Sequence, residues 1–146
     1  MLSKVIVIDS REKQPYSFKN SICKKVSTGD YTIEGFEHLI SIERKKSVSE
    51  ICKNITESRF WDMLERSKNI ERFILLLEFS EQDVFNYPKG SGIPKRRWRY
   101  LKVKSKYIIK CLDKIKEEYG AEIIYAENRQ KGENITKEIL KKCLKT

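Results

Sequence analysis

The sequence has no apolar stretch approaching the roughly 20 residues that a membrane-crossing helix requires. Its N-terminus runs from Met1-Leu2-Ser3-Lys4 straight into a short apolar segment, without the longer core of a secretory signal. Cysteine is sparse: Cys23, Cys52, Cys111 and Cys143 stand far apart and form no CxxC pair. That spacing argues against a zinc site, and without a secretory signal it argues against a disulfide framework. His38 is the only histidine, and its setting reads as hairpin surface rather than as a base or metal ligand. Internal repeats and low-complexity linkers are also lacking. These absences lead us to expect a soluble, intracellular, reduced protein with no membrane partner.

What the chain has in excess is positive charge. Lys and Arg number 31 against 21 Asp and Glu, a formal net charge of +10 in 146 residues. Such an excess favours a polyanion as partner, although a face of solvated lysines gives the same composition. With 36% charged and 39% hydrophobic residues, the chain can bury a core without disulfide help. A single domain over residues 1–146 is expected.

Val5 to Ile8 is a β-branched run that reads as a buried strand ending at Asp9-Ser10-Arg11-Glu12. Residues 22–26, 31–33 and 39–43 read as further extended segments, broken by Gly29 and by the turn at Glu34-Gly35. Ser47-Val48-Ser49-Glu50 has the spacing of a capping box and should start a helix. Ile51 and Ile55 lie on one face of it, with Phe60, Trp61 and Leu64 in a second helical stretch. Phe73 to Phe79 is a second buried strand. Tyr87 to Tyr100, with Pro88, Gly90, Gly92 and Pro94, reads as a loop. Tyr107 to Tyr119 traces an amphipathic helix that stops at Gly120, Ala121 to Tyr125 a strand, and Ile135 to Leu144 a last helix. Strands first, then helices and strands in alternation, predict an α/β domain with a mixed central sheet flanked by helices.

Three charged clusters fall at strand ends or in hairpins: Asp9-Ser10-Arg11-Glu12, Gly29-Asp30-Tyr31 and Glu43-Arg44-Lys45. Hydrolysis of a phosphodiester with a hard cation needs carboxylate oxygens to hold the ion. It also needs a cationic group near the phosphate or the attacking water. Residues i and i+2 of a strand share a face, so Glu43 and Lys45 can aim at one site while Arg44 points away. Asp30 precedes a strand able to pair with that of Glu43, which would let both carboxylates reach one metal. This is the general PD-(D/E)xK arrangement. The plainer alternative is that Ile42-Glu43-Arg44-Lys45 is a solvated strand edge.

The three clusters together resemble the signature of the XPF-type (ERCC-type) structure-specific nuclease domain. That family reads as an apolar strand into DxRE, then GDY, then an apolar residue and ERK. Here the blocks are Val7-Ile8-Asp9-Ser10-Arg11-Glu12, Gly29-Asp30-Tyr31 and Ile42-Glu43-Arg44-Lys45. Further along, Ser47 to Ile51 is similar to the family's Ser-rich helix start, and Ser58-Arg59-Phe60 to its Gly-Arg-Leu/Phe step. Phe73 to Phe79 looks like its buried LLIE-type strand, and Tyr107 to Tyr125 like its closing helix and strand. The resemblance implies a restriction-endonuclease-like core and Mg²⁺- or Mn²⁺-dependent cleavage of branched, flapped or forked DNA. Asp30 and Glu43 would be metal ligands, with a backbone carbonyl near Arg44 and water completing the shell, and Lys45 would act on the water or phosphate. Asp9 matches a further acidic position, and Arg11 and Glu12 match residues that support the site.

Two departures stand out. Lys46 is an extra residue after ERK, and Glu50 stands where the family has an Asp; the capping box accounts for Glu50 without catalysis. No helix-hairpin-helix or helicase module is expected within residues 1–146, a layout that suggests a viral or mobile-element nuclease. A Holliday-junction resolvase or restriction-type nuclease with the same core is an alternative, as is a non-catalytic DNA-binding or dimerisation subunit. The presence of Asp9, Asp30, Glu43 and Lys45 argues against a decayed site. Lys95, Arg96, Arg97, Trp98 and Arg99 interleave cations with an aromatic and are expected to touch DNA. A homodimer is expected through the C-terminal helices, using Ile108, Leu112 or Ile139.

Overall fold

The structure is a computed structural model that describes residues 4–145, so the expectation drawn from Met1-Leu2-Ser3 lies outside the described residues. Six strands form one sheet: β1 (Ile6–Asp9), β2 (Ser21–Lys24), β3 (Tyr31–Ile33), β4 (Ile40–Lys45), β5 (Arg72–Leu77) and β6 (Glu122–Tyr125). Their order is β2-β1-β3-β4-β5-β6. β3 runs antiparallel to both β1 and β4, while β1–β2, β4–β5 and β5–β6 are parallel. The sheet is therefore mixed, and β4 lies in its interior.

Helices cover both faces: α1 (Val48–Asn54), α2 (Ser58–Ser67), α3 (Glu81–Asn86), α4 (Ser105–Tyr119) and α5 (Arg129–Lys145). β5 shows how the faces divide. Phe73, Leu75 and Leu77 pack with Ile51, Phe60, Leu64, Ile108 and Leu112 on one side. Ile74 and Leu76 pack with Ile8, Ile42 and Leu140 on the other. A strand buried on both faces must be apolar at every position rather than alternating. Each large apolar side chain so buried contributes about 1.5–3 kcal/mol.

Local signals set the helix boundaries. The Ser47 hydroxyl caps α1 by accepting the Glu50 N–H at 3.1 Å, and the Glu50 carboxylate reaches back to the Lys46 N–H at 2.9 Å. Gly120 ends α4 in the left-handed conformation at φ 70°. Two expectations need correction, and one helix went unread: residues 81–86 form α3, started by a full capping box between Ser80 and Asp83, and its short apolar pattern hid it. Lys95–Tyr100 is a 3-10 helix and not a loop. Ile108 and Leu112 are buried in the core at 0% and 4% exposure, so they cannot form a dimer face. Ile139 is half-buried against the α5 side of the sheet. No described helix is long and apolar enough to cross a membrane.

Candidate active site

The turn into β3 brings the acids together. Gly29 sits at φ +100°, and a Cβ there would lie 1.9 Å from Ser41 Oγ. Only glycine lets the chain pass this close to β4 while taking that backbone angle. β3 and β4 pair as Tyr31 with Ile42 and Thr32 with Ser41. At the end of this ladder the Asp30 N–H donates to the Ile42 carbonyl at 2.8 Å. The Arg44 N–H then donates to Asp30 Oδ2, also at 2.8 Å. Asp30's side chain thus takes the place of a backbone acceptor, which fixes its carboxylate beside β4.

Alternation along β4 sends Glu43 and Lys45 to the α2 side and Arg44 to the other, as their spacing predicts. Lys45 Nζ lies 3.0 Å from Glu43 Oε2 and 5.5 Å from the centre of the Phe60 ring. Burial pulls the Lys45 ammonium down, but the charge of Glu43 outweighs it, and the net direction is up. Burial first, and the charge of Glu43 second, hold the Asp30 pKa well above the ordinary range. Glu43 and Lys45 line a cleft of about 270 Å³ with Arg11, Asn54, Arg59 and Arg66 among its other walls.

The remaining residues singled out by the sequence have other settings. Asp9, expected among the catalytic acids, lies next to Asp30, whose carbonyl accepts the Asp9 N–H at 2.8 Å. Its carboxylate accepts from Arg11 Nε at 3.0 Å and from the Val26 N–H at 2.9 Å, and the residue is 3% exposed. These donors tie the Asp9 carboxylate to Arg11, which lines the cleft, and to the segment leading to Gly29. Arg11 also donates to the Val26 carbonyl at 2.9 Å. Glu12 faces the Arg44 guanidinium at 3.5 Å. The Trp98 indole N–H is tied to the Ile93 carbonyl at 2.8 Å, while Lys95, Arg96, Arg97 and Arg99 are exposed.

Sequence reasoning missed the partners of Arg44. Its guanidinium is buried, 2.7 Å from Glu78 Oε2, 2.7 Å from the Gln14 carbonyl and 4.3 Å from the Tyr16 ring centre. The Tyr16 hydroxyl donates to Glu78 as well. The signal was legible, because Glu78 is the one charge in the apolar run from Phe73 to Phe79 and such a charge is rarely buried unpaired. Arg59 and Arg66 were missed as cleft residues too, although two turns of helix separate them.

Asp30 and Glu43 are the carboxylates here that could serve as ligands to a hard divalent cation. Among the described residues no three His, Cys, Asp or Glu side chains converge on a point. Asp30 lies near enough to Glu43 for the charge of Glu43 to add to burial in raising its pKa. Mg²⁺ binds through one or two carboxylates, with water and phosphate oxygens filling the shell.

The sequence matches a family model described as ERCC4 domain over residues 8–139. Among solved structures the fold is similar to XPF from Aeropyrum pernix, at 15% identity and a TM-score of 0.68, over 94% of this chain and 64% of that one. It is also similar to XPF from Aeropyrum pernix in complex with DNA, at 20% identity and a TM-score of 0.65, over 94% and 63%. This chain therefore spans a little under two thirds of those chains. No curated protein matches.

Proposed function

The chain belongs to the ERCC4 domain family, the XPF-type nuclease domains, and from that premise we propose that it is a divalent-metal-dependent DNA endonuclease acting on branched, flapped or forked DNA. The observation that carries this reading is the placement of Asp30, at the turn into β3 with its carboxylate on the Arg44 N–H, beside Glu43 of β4, with Lys45 paired to Glu43 and both lining the cleft. Asp30, Glu43 and the backbone carbonyl of Arg44 would hold Mg²⁺ or Mn²⁺. When bound, such an ion polarises a phosphate oxygen and lowers the pKa of water. Lys45 presents its ammonium to the cleft and offsets the charge that gathers on the phosphate during attack. Glu43 keeps that ammonium oriented until substrate arrives. Arg44 takes no part through its side chain, and its N–H holds the Asp30 carboxylate in place.

DNA as substrate fits the net charge of +10 and the guanidinium groups around the cleft. A homodimer belongs to the same reading, with exposed Phe85 and Tyr107 offering apolar surface in place of the buried Ile108 and Leu112; light scattering at micromolar concentration tests it. Cleavage is tested with Mg²⁺ or Mn²⁺ on duplex, flap, fork, four-way-junction and single-stranded DNA. Cleavage abolished by EDTA and by Glu43→Gln is expected. Full activity under either condition refutes the metal site.

A further inference from the structure

We propose that helix α2 is a phosphate-gripping bar laid across the active site, with Arg59 and Arg66 holding the backbone of one DNA strand on either side of the phosphate being cleaved. The inference rests on the nuclease reading for the identity of the centre, and on separate geometry for the grip. Two contacts show how α2 lies. Phe60, next to Arg59, sits under the Lys45 ammonium. Seven residues on, the Arg66 guanidinium donates to Thr28 Oγ1 and to the Ser27 carbonyl, both at 3.3 Å. Those residues lead directly into Gly29 and Asp30. One end of α2 therefore stands over Lys45 and the other over the approach to Asp30.

The charges suit the role. Arg66 contacts neutral oxygens, so its positive charge stays available. Arg59 is 79% exposed at its side chain and 3.2 Å from Glu57, an exposed pair that yields readily to a stronger partner. Both arginines line the cleft that holds Glu43 and Lys45. Two turns of helix set their α-carbons about 10.5 Å apart. At about 3.4 Å of rise per nucleotide along one strand, that distance covers about three nucleotides. A grip of that length straddles a single scissile phosphate, and guanidinium groups bind phosphate without regard to base. The Lys95–Arg99 segment would then be at most a secondary contact.

Arg59 and Arg66 are exposed, and the buried face of α2 is Phe60, Met63, Leu64 and Ser67, so glutamine at both positions should leave the fold intact; thermal melting checks this. Binding of labelled duplex to the Arg59→Gln/Arg66→Gln chain is measured against salt in EDTA, where cleavage does not intervene. The log K versus log salt slope should fall by about 1.8 for two lost phosphate contacts. Weakening should be equal for unrelated sequences, and Arg59→Lys/Arg66→Lys should restore the slope. An unchanged slope in the glutamine variant overturns the proposal, as does a loss of slope appearing only in Arg96→Gln/Arg97→Gln. Because the assay is binding without metal, the nuclease reading stands or falls apart from it. A chain that grips as described but never cleaves would retain the bar and lose the catalysis.

Discussion

The two faces of β4 carry similar ion pairs put to different ends. On one, Arg44 is fully engaged: Glu78, Glu12, the Gln14 carbonyl and the Tyr16 ring surround a guanidinium with 1% of its side chain exposed. On the other, Lys45 and Glu43 meet at 3.0 Å with 12% and 14% exposed, and open onto a cleft. The buried pair has no capacity left for a ligand, and breaking it strands a charge. On the proposed reading the cleft pair would exchange partners, Glu43 for a cation and Lys45 for a phosphate. One residue of register therefore separates an ion pair closed inside the core from one that opens onto a cleft, since neighbours on a strand face opposite ways.

The comparison breaks most visibly at Arg44. Arg44→Met should cost about 3–5 kcal/mol, because Glu78 stays buried without its counter-ion. Urea denaturation measures this, and Arg44→Met/Glu78→Leu should recover much of the loss, since apolar replacement of a whole buried pair is often near neutral. A loss under 1 kcal/mol in the single variant would make the two faces alike. On the cleft face Lys45→Met should lower single-turnover cleavage by about 10²–10³-fold while the urea midpoint barely moves. A large stability loss there would mean Lys45 is structural too.

Asp30→Asn sharpens the contrast from the other side. The folded chain holds the Asp30 proton more tightly than the unfolded chain does. Stability therefore falls as pH rises from the ordinary carboxylate range to the raised folded value. Asparagine removes that fall, so the variant should melt higher than the parent at neutral pH without metal, and Mg²⁺ should no longer raise its melting temperature. A lower melting temperature would show the carboxylate to be needed for the turn. Glu50→Ala, the smallest expected effect, should cost about 1 kcal/mol as a lost cap interaction and leave the cleavage rate per folded molecule close to that of the parent. A hundredfold drop in rate would instead place Glu50 in the chemistry beside Lys45.

Much of the fold was legible because it rests on local rules. The buried strands showed as apolar runs, α1 began at its Ser47 cap and α4 ended at Gly120 as their signals require. Glu43 and Lys45 on one side and Arg44 on the other followed from strand period alone. What the sequence hid depended on tertiary contacts. Nothing local says that Asp9 will spend its carboxylate on Arg11 and Val26, or that Glu78 will sit across the sheet from the site. The short α3 carried too little apolar periodicity to show, although its Ser80–Asp83 capping box was there to read. The role of α2 emerged only once its packing over Lys45 and Ser27 was known.

β4 lies in the interior of the sheet, with β3 on one side and β5 on the other. Backbone amides in such a strand open to solvent only when the whole domain unfolds, whereas exposed helix surfaces open in smaller steps. In hydrogen–deuterium exchange the Ile42 and Arg44 amides should therefore be among the slowest, with free energies of opening near that of global unfolding. The geometry around Asp30 and Glu43 then persists for as long as the domain is folded at all. A partly denatured molecule would lose the outer contacts of the cleft first and keep its carboxylate pair until the end.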